Sequence, residues 1–162
     1  MTEPTYLLTA AEIAAMEGLN KTHFLNPRAR RVNKSLGDRT GLTGLGFHII
    51  EVAPGDLSTE YHVHHHEDEC VYVLAGTGTA RIGETRHAIG PGDFIGYRAG
   101  GLPHTIENTG TETLRLIVAG QRLPHDVGDY PDQQKRIYRN TGLPWQLVDH
   151  AAIEEVQAGA KT

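Results

Sequence analysis

The sequence predicts an all-β protein that folds as one domain, and three observations support this prediction. The chain has 162 residues, which is enough to bury one core. It contains 19 glycines and 8 prolines, residues that often mark chain reversals. Short segments with the composition of β-strands follow one another between these turn signals, with no long helical segment among them. This pattern favours an antiparallel sandwich or barrel over alternating strands and helices.

The predicted strands occupy residues 44–120, which we interpret as the barrel itself. They end at turn signals such as Pro54-Gly55, Gly76 and Gly90-Pro91-Gly92. The strand segments are residues 47–52, 69–74, 79–82, 85–89, 94–98, 104–107 and 114–119. No linker, internal repeat or low-complexity tract interrupts the sequence, so we expect the flanking segments to belong to the same domain.

Residues 1–43 are predicted to form an N-terminal arm with a short helix. Thr9 and Glu12 have the spacing of a capping box, and Gly18 is expected to lie beyond the end of this helix. Five basic residues follow it: Arg28, Arg30, Arg31, Lys34 and Arg39. We expect these side chains to be solvated or to face a dimer partner, with anion binding as the alternative.

Residues 121–162 are predicted to be a C-terminal extension that packs on the barrel. Its prolines, Pro124, Pro131 and Pro144, indicate an irregular chain. A short closing helix is expected near residues 150–157, with Asp149 as its N-terminal cap.

Charge and composition exclude several functional classes. The net charge is −5, from 15 basic and 20 acidic residues, and an acidic chain is a poor binder of nucleic acid. No segment resembles a signal peptide, and no apolar run is long enough for a membrane helix. The single cysteine, Cys70, cannot form an internal disulfide. The expected location is therefore the cytoplasm, with no nucleic-acid or membrane partner.

The most unusual feature is the group of histidines at residues 62–66. His62 and His64 are two positions apart, so in a strand their imidazoles point to the same face. Glu69 opens the next predicted strand and returns to that face if the loop reverses the chain. Two imidazoles and a carboxylate are a donor set that a divalent metal prefers. The alternative for such a pair of histidines is a half-exposed polar surface.

Other polar residues are candidates for supporting roles. His48, His66, Tyr97 and Arg98 are the candidate pocket residues, with catalytic roles unassigned, and His65 and His66 are expected to support the ligands by hydrogen bonds. Glu67 and Asp68 are expected to face solvent. Cys70 should lie on the opposite face from Glu69 as a packed core thiol. The candidates for holding an anionic substrate are Arg81, Arg86 and Arg98.

The segment from Gly55 to Gly76 resembles the first motif of the cupin superfamily. That motif has a glycine, a spacer, His-x-His, three or four residues, a glutamate, six residues and a glycine. Here His62 and His64 are followed after four residues by Glu69, and six residues separate Glu69 from Gly76. The spacer between Gly55 and His62 is six residues, one longer than usual.

The segment from Gly92 to Asn108 resembles the second cupin motif. The motif has a glycine, five residues, Pro-x-Gly, two residues, a histidine, three residues and an asparagine. His104 and Asn108 match its last two positions. Arg98 stands where proline is usual, and three residues instead of two separate Gly100 from His104.

The resemblance implies a jelly-roll barrel that binds one divalent metal ion, Mn, Fe, Ni, Co or Zn, on His62, His64, Glu69 and His104. It also implies a homodimer with a small-molecule substrate or ligand. Among the activities of the superfamily we favour sugar or sugar-phosphate isomerase-like chemistry. The alternatives are a dioxygenase or decarboxylase of a small organic acid, and a binding or sensing module without turnover.

Overall fold

The computed structural model describes residues 4–159, which form mainly antiparallel strands. Two short helices are present, α1 (Ala10–Ala15) and α2 (Leu36–Arg39). The strands of the first half are β1 (Leu19–His23), β2 (Asn26–Ser35), β3 (Leu45–Val52), β4 (Val63–His64), β5 (Glu69–Ala75) and β6 (Gly78–Ile82). Those of the second half are β7 (Thr85–Ile89), β8 (Phe94–Tyr97), β9 (His104–Glu107), β10 (Leu114–Gln121), β11 (His125–Tyr130), β12 (Lys135–Asn140) and β13 (Gln146–Asp149). The predicted all-β fold class is confirmed.

The strands form three antiparallel sheets. The first sheet has six strands in the order β1-β2-β3-β10-β5-β8, and the second has three in the order β7-β6-β9. The third sheet has the order β13-β12-β11-β4. Isolated bridges from Leu57 to Glu107 and from His62 to His104 join the segment before β4 to β9. These bridges bring the histidine segment against the strand that carries His104.

The hydrophobic core lies between the six-stranded and three-stranded sheets. Leu116 of β10 and Val73 of β5 are register partners, and neither is exposed to solvent. Ala80 and Ile106 contribute from the opposite sheet. Alternate residues of each strand point into this core, and burying a Leu or Val side chain stabilises the fold by about 1.5–3 kcal/mol. The alternating pattern of the sequence therefore sets which face of each strand is buried.

The N-terminal arm contains more strand than the sequence predicted. The capping box is present, because Thr9 Oγ1 accepts from the Glu12 amide while Glu12 Oε2 accepts from the Thr9 amide. After this helix, β1 and β2 extend the six-stranded sheet, with β2 paired to β3. The arm is thus continuous with the barrel wall.

The expectation of solvated basic side chains in the arm is wrong for two residues. Lys34 is buried, with its Nζ 3.7 Å from Glu51 Oε1. Arg31 is only partly exposed, and its guanidinium donates to the carbonyl of Ser58. The cause is that β2 is an interior strand of the six-stranded sheet, between β1 and β3; the two side chains point to opposite faces of the strand, and neither face is fully exposed there.

The prediction of an irregular C-terminal extension is also wrong, because β11, β12 and β13 form most of the third sheet. Pro124 immediately precedes β11, Pro131 immediately follows it, and Pro144 precedes β13. A proline cannot donate to the hydrogen-bond ladder of a sheet, but it is compatible with the turns between strands. The three prolines mark strand ends here.

The closing helix predicted at residues 150–157 is reduced to one turn of 3-10 helix, His150–Ala152. The Asp149 side chain makes no capping hydrogen bond and pairs instead with Lys135 Nζ on β12. Residues 153–159 form neither helix nor strand. Within residues 4–159, no helix is long and apolar enough to cross a membrane.

Asp129 of β11 holds the C-terminal sheet together. Its carboxylate accepts from Arg136 at 2.8 and 2.9 Å, from His65 at 2.7 Å and from His150 at 2.9 Å. Burial opposes its ionisation, but the hydrogen bonds from Arg136, His65 and His150 outweigh burial and keep the pKa of Asp129 below its usual range. Its charged form therefore stabilises the fold.

We expect Asp129→Asn to lower the free energy of unfolding at pH 7 by about 2–4 kcal/mol, because charged donors lose their acceptor. The folded-state pKa of Asp129 is depressed, so its contribution is present above the unfolded pKa of about 4 and is lost as pH falls. Urea denaturation of both proteins at pH 7 and pH 3 measures this difference. The control is Asp132→Asn, which removes an exposed pair with Arg81. An equal loss for both variants at pH 7, or an Asp129→Asn effect that does not shrink between pH 7 and pH 3, would contradict the interpretation.

Candidate metal centre and its cavity

A cavity with a volume of about 660 Å³ lies beside the histidine segment. Strands β3, β5 and β10 supply one wall, and β11 and β12 supply another. The loop between β1 and β2 contributes Phe24 to the lining. All four residues expected to bind metal line this cavity: His62, His64, Glu69 and His104.

Backbone pairing places the four side chains together. The His62 amide donates to the His104 carbonyl at 3.1 Å, and the His104 amide donates to the His62 carbonyl at 2.8 Å. His64 lies two residues further along on β4, and Glu69 is the first residue of β5. Three separate segments therefore converge at one point.

His104 of the second motif lies beside His62, although one additional residue separates it from Gly100. A turn at residues 98–101 contains the additional residue, since the Gly101 amide donates to the Arg98 carbonyl at 3.0 Å. Gly100 within this turn has φ of +65°, a conformation that glycine adopts without strain. The chain then returns to β9 in register with His62. Arg98 in place of proline thus leaves His104 at the centre.

Each of the three histidines has its Nδ1 beside an acceptor. For His62 this is the carbonyl of Glu60 at 2.8 Å, and for His104 the carbonyl of Leu102 at 3.2 Å. His64 Nδ1 lies 2.6 Å from Asp126 Oδ2. Carbonyl and carboxylate oxygens only accept, so each Nδ1 carries the proton and each Nε2 presents a lone pair.

The Nε2 atoms of His62 and His104 face the Glu69 carboxylate, and His64 Nε2 lies beside His62 Nε2, while its Nδ1 side belongs to a neighbouring group with Glu67 and Asp126. His62 Nε2 lies 3.1 Å from His64 Nε2, and His104 Nε2 lies 3.6 Å from Glu69 Oε1. Donor atoms of His62, Glu69 and His104 all lie within 4.8 Å of one another. His104 Nε2 is buried and has no hydrogen-bond partner within the described residues.

This arrangement fits a divalent metal ion. Two facing lone pairs and a nearby carboxylate repel one another unless a cation lies between them. Atoms bound at about 2.1 Å to one ion lie about 3.0–3.4 Å apart in octahedral or tetrahedral geometry. The distances from His62 to His64 and from His104 to Glu69 are close to this range. His62, His64, Glu69 and His104 could therefore hold such an ion.

The environment keeps the donors in the states that bind metal. Burial, together with the neighbouring His104 and His64, lowers the pKa of His62 to about 3. Burial opposes the charge of Glu69, but the adjacent imidazoles of His104, His62 and His64 outweigh burial and lower the pKa of Glu69 to about 2. At neutral pH, His62 is neutral and Glu69 is ionised.

The Nδ1 side of the His64 ring is hydrogen-bonded to a group of charged side chains, Asp126, Arg139 and Glu67. Asp126 Oδ2 accepts from both His64 and Arg139, and the Arg139 guanidinium also pairs with Glu67. Glu67 is buried, so the expectation that it faces solvent is wrong, whereas Asp68 is exposed as expected. The network fixes the tautomer and orientation of the His64 ring. Asp126 and Arg139 lie far along the chain from His64, and no local motif indicated them.

Two of the four candidate pocket residues, His48 and Tyr97, line the cavity. The Tyr97 ring stacks on His104 with 3.5 Å between ring centroids and 4° between planes. The Asn33 amide nitrogen lies 3.2 Å from His48 Nδ1. His66 and Arg98 are exposed and lie outside the cavity lining, so their assignment as pocket residues is wrong. The loop after β4 turns His66 outward, where its ring contacts His125.

Two further expectations for side chains near Glu69 need correction. Within residues 4–159, the His65 side chain makes no hydrogen bond to the histidine ligand candidates; it is hydrogen-bonded to Asp129 in the C-terminal sheet. Cys70 lies on the opposite face from Glu69 as strand alternation predicts, but it is partly exposed and not a core thiol. The outer face of β5 is open to solvent at this position, since the next outward residue, Tyr72, is 42% exposed.

The basic residues of the cavity differ from those predicted. Arg81, Arg86 and Arg98 are absent from the cavity lining, and Arg81 pairs with Asp132 instead. The basic residues that do line it are Lys21, Arg31, Arg122 and Arg139. The basic run of the arm was the only sequence signal for Arg31, and nothing local indicated Arg122 or Arg139.

Comparisons with known proteins agree with this architecture. Residues 48–120 match the sequence profile of the cupin domain. The chain is 54% identical to a protein from Acidithiobacillus ferrooxidans ATCC 23270 that is provisionally named a sugar phosphate isomerase. The alignment with that crystal structure covers 94% of this chain and 97% of the other, with a TM-score of 0.91.

A second solved structure shares the fold at lower identity. It is a cupin-superfamily protein from Silicibacter pomeroyi DSS-3, named a sugar phosphate isomerase, and it is 22% identical with a TM-score of 0.76. The alignment covers 88% of this chain and 94% of the other. No curated protein matches the chain significantly. The match with the Acidithiobacillus protein spans nearly the whole of both chains at 54% identity, so the two belong to one family, and the profile match over residues 48–120 identifies a cupin domain in this chain.

Proposed function

We propose that the protein is a metal-dependent isomerase of a sugar or sugar phosphate, with one divalent ion on His62, His64, Glu69 and His104. The observation that carries this proposal is that all four residues line one cavity, with the donor atoms of His62, Glu69 and His104 within 4.8 Å of one another and His64 Nε2 3.1 Å from His62 Nε2. Four protein ligands leave two positions open on an octahedral ion. A substrate with neighbouring carbonyl and hydroxyl oxygens is suited to two such positions.

The similarity to the Acidithiobacillus protein supports the reaction class. That protein is provisionally named a sugar phosphate isomerase and aligns with 94% of this chain. An aldose–ketose isomerisation moves hydrogen between neighbouring carbons and consumes no second substrate. A bound divalent ion would polarise the carbonyl and hydroxyl oxygens of the substrate.

The protein's own residues would orient the ligands and limit the access of water. Tyr97 stacks on the His104 ring, and Asp126 binds His64 Nδ1, so neither ring is free to rotate. Apolar side chains from the six-stranded sheet form part of the cavity wall: Ile50, Val71, Leu116 and Val118. Such a wall lowers the local dielectric and strengthens interactions between charged groups and a bound substrate.

Metal analysis followed by an activity screen tests the proposal. We expect purified protein to bind about one divalent ion per chain, and metal-loaded protein to interconvert aldoses or aldose phosphates with their ketoses. Product formation can be followed by NMR of the anomeric region. Metal removal with a chelator should abolish turnover, and adding the metal back should restore it. Full metal occupancy without turnover of any aldose or aldose phosphate would contradict the isomerase assignment.

A further inference from the structure

Lys21 and Arg31 form an unusual pair on the wall of the cavity. They are direct cross-strand partners on β1 and β2, so their side chains extend from the same face of the sheet. Both residues line the cavity. Like charges placed directly opposite each other destabilise a sheet. An anion between them would remove this repulsion.

The two cations lack carboxylate partners in the part of the chain that the structure describes. Neither has a carboxylate oxygen within 4.0 Å, and the Arg31 guanidinium binds only the carbonyl of Ser58. Burial lowers the pKa of Lys21 and the charge of Arg31 lowers it further, although the charge of Asp38 opposes this shift. The pair is thus surrounded by positive charge that is poorly neutralised.

Arg122 and His48 extend this charged wall. A Cβ atom built on Gly46 would lie 3.1 Å from His48 Nε2 and 3.2 Å from Arg122 Nε, so both side chains lie over this glycine. Asn33 Nδ2 donates to His48 Nδ1, which places the ring proton on Nε2. His48 Nε2 is therefore a donor.

Two carboxylates face the same wall, and one of them, Asp38, neutralises part of its charge by pairing with Arg122. Asp38 binds Arg122 at 2.6 Å and also accepts from Ser35. Glu69 belongs to the candidate metal centre, and its charge favours the protonated form of Arg31. The remaining uncompensated charge is positive, and it belongs to Lys21 and Arg31.

A pair of glycines connects this wall with the metal centre. Gly46 and Gly120 are register partners on β3 and β10, and both line the cavity. A Cβ on Gly120 would lie 3.6 Å from Glu69 Oε2, just as one on Gly46 would lie beside His48. Cross-strand neighbours are about 5 Å apart. Because neither glycine has a side chain, no side chain from these two positions separates the cationic wall from Glu69.

We propose that Lys21 and Arg31, assisted by Arg122 and His48, form a phosphate-binding subsite of this cavity. The inference rests on the proposed function in one respect, namely that the phosphate belongs to a phosphorylated sugar whose other end reaches the metal ligands over Gly46 and Gly120. Lysine and arginine donate charge-assisted hydrogen bonds to phosphate oxygens; here the Arg31 side chain is partly buried and the Lys21 side chain is exposed.

Titration with inorganic phosphate tests the subsite directly. Calorimetry at constant ionic strength is performed on the full-length protein, both metal-loaded and after metal removal with a chelator. We expect phosphate to bind the wild type in both states, because the subsite does not include the metal. Lys21→Gln and Arg31→Gln should each weaken binding about tenfold or more. The control, Arg86→Gln, removes one positive charge from an exposed position outside the cavity and should leave binding unchanged.

Two results would overturn the subsite. One is phosphate binding that requires the metal and is equal in wild type and both variants; the other is no phosphate binding by the wild type. Arg31→Gln also removes the hydrogen bond to Ser58, so circular dichroism must show that it folds. Lys21 makes no side-chain hydrogen bond within residues 4–159, so Lys21→Gln provides the decisive measurement if Arg31→Gln does not fold.

Kinetics separate this inference from the isomerase proposal. With matched sugars, Lys21→Gln should raise the KM for an aldose phosphate about tenfold and leave the KM for the unphosphorylated aldose unchanged. If no sugar is converted, the isomerase proposal fails, and the phosphate titration of the metal-free protein still decides the subsite. If turnover occurs but Lys21→Gln alters neither phosphate affinity nor the KM for the aldose phosphate, the subsite is wrong and the isomerase proposal stands.

Discussion

His64→Gln is expected to lower the affinity for a divalent metal by at least about 100-fold, with a comparable loss of any metal-dependent activity. The change removes one of four proposed donors, and even residues that only support metal ligands contribute about 10–100-fold. It also leaves Asp126 and Arg139 without the imidazole that joins them to the centre. Competition with a metal-binding dye gives the affinity, and elemental analysis gives the occupancy.

The matched control is His66→Gln, the same substitution two residues further along the chain. The His66 side chain is exposed and lies outside the cavity lining, so metal affinity should remain within about twofold of wild type. The opposite ranking, with metal lost in His66→Gln and retained in His64→Gln, would show that the loop folds differently and that the proposed ligand set is wrong.

Asn108→Ala is expected to lower the free energy of unfolding by about 3–5 kcal/mol. The side chain is 1% exposed, and its Nδ2 donates to the carbonyls of Val52 and Glu112, each at 2.8 Å. Its Oδ1 accepts from the Gly110 amide at 3.0 Å. Each buried group that loses its partner costs about 1–3 kcal/mol. For a domain of this size, the melting temperature should fall by about 10 °C.

Chemical denaturation and thermal melting of the metal-free proteins measure this effect without interference from metal binding. Asn140→Ala provides the comparison, because Asn140 is exposed at the end of β12 and should change stability by less than about 0.5 kcal/mol. Asn108→Asp is informative as a second variant, since it keeps the acceptor for Gly110 but loses both donated hydrogen bonds. A loss below about 1 kcal/mol for Asn108→Ala would show that the three side-chain hydrogen bonds of Asn108 contribute little to stability.

Much of the fold was predictable because its signals are local. Alternating apolar residues define β5 and β10, and Thr9 with Glu12 defines the start of α1. The signals failed in the terminal segments. Basic residues in β2 and prolines around β11 suggested exposed or irregular chain, whereas pairing with other strands gives both segments regular structure. Strand pairing with distant partners is not encoded in the composition of the segment itself.

In the histidine segment, too, some positions were predicted from the local pattern and others depend on distant contacts. Strand parity alone places His62 and His64 on one face, and the two motifs led to Glu69 and His104. The alternation of side chains between two faces holds only within a strand and not in a loop. For this reason the prediction of a pocket position for His66 and of an exposed position for Glu67 was wrong. The direction of these two side chains depends on contacts with β11 and β12, more than fifty residues away.

Periodicity and motif spacing act over a few residues, so they were enough to predict the all-β class, the core faces of the strands and the group of metal-ligand candidates. Which cations share the cavity with those candidates depends on the pairing of distant strands. Lys21, Arg31 and Arg122 come from three strands or their ends, and they meet because β2 pairs with β3 and β3 pairs with β10. Such an arrangement depends on the register between distant strands, and the free energy that selects this register comes from burying the whole core rather than from any local pattern.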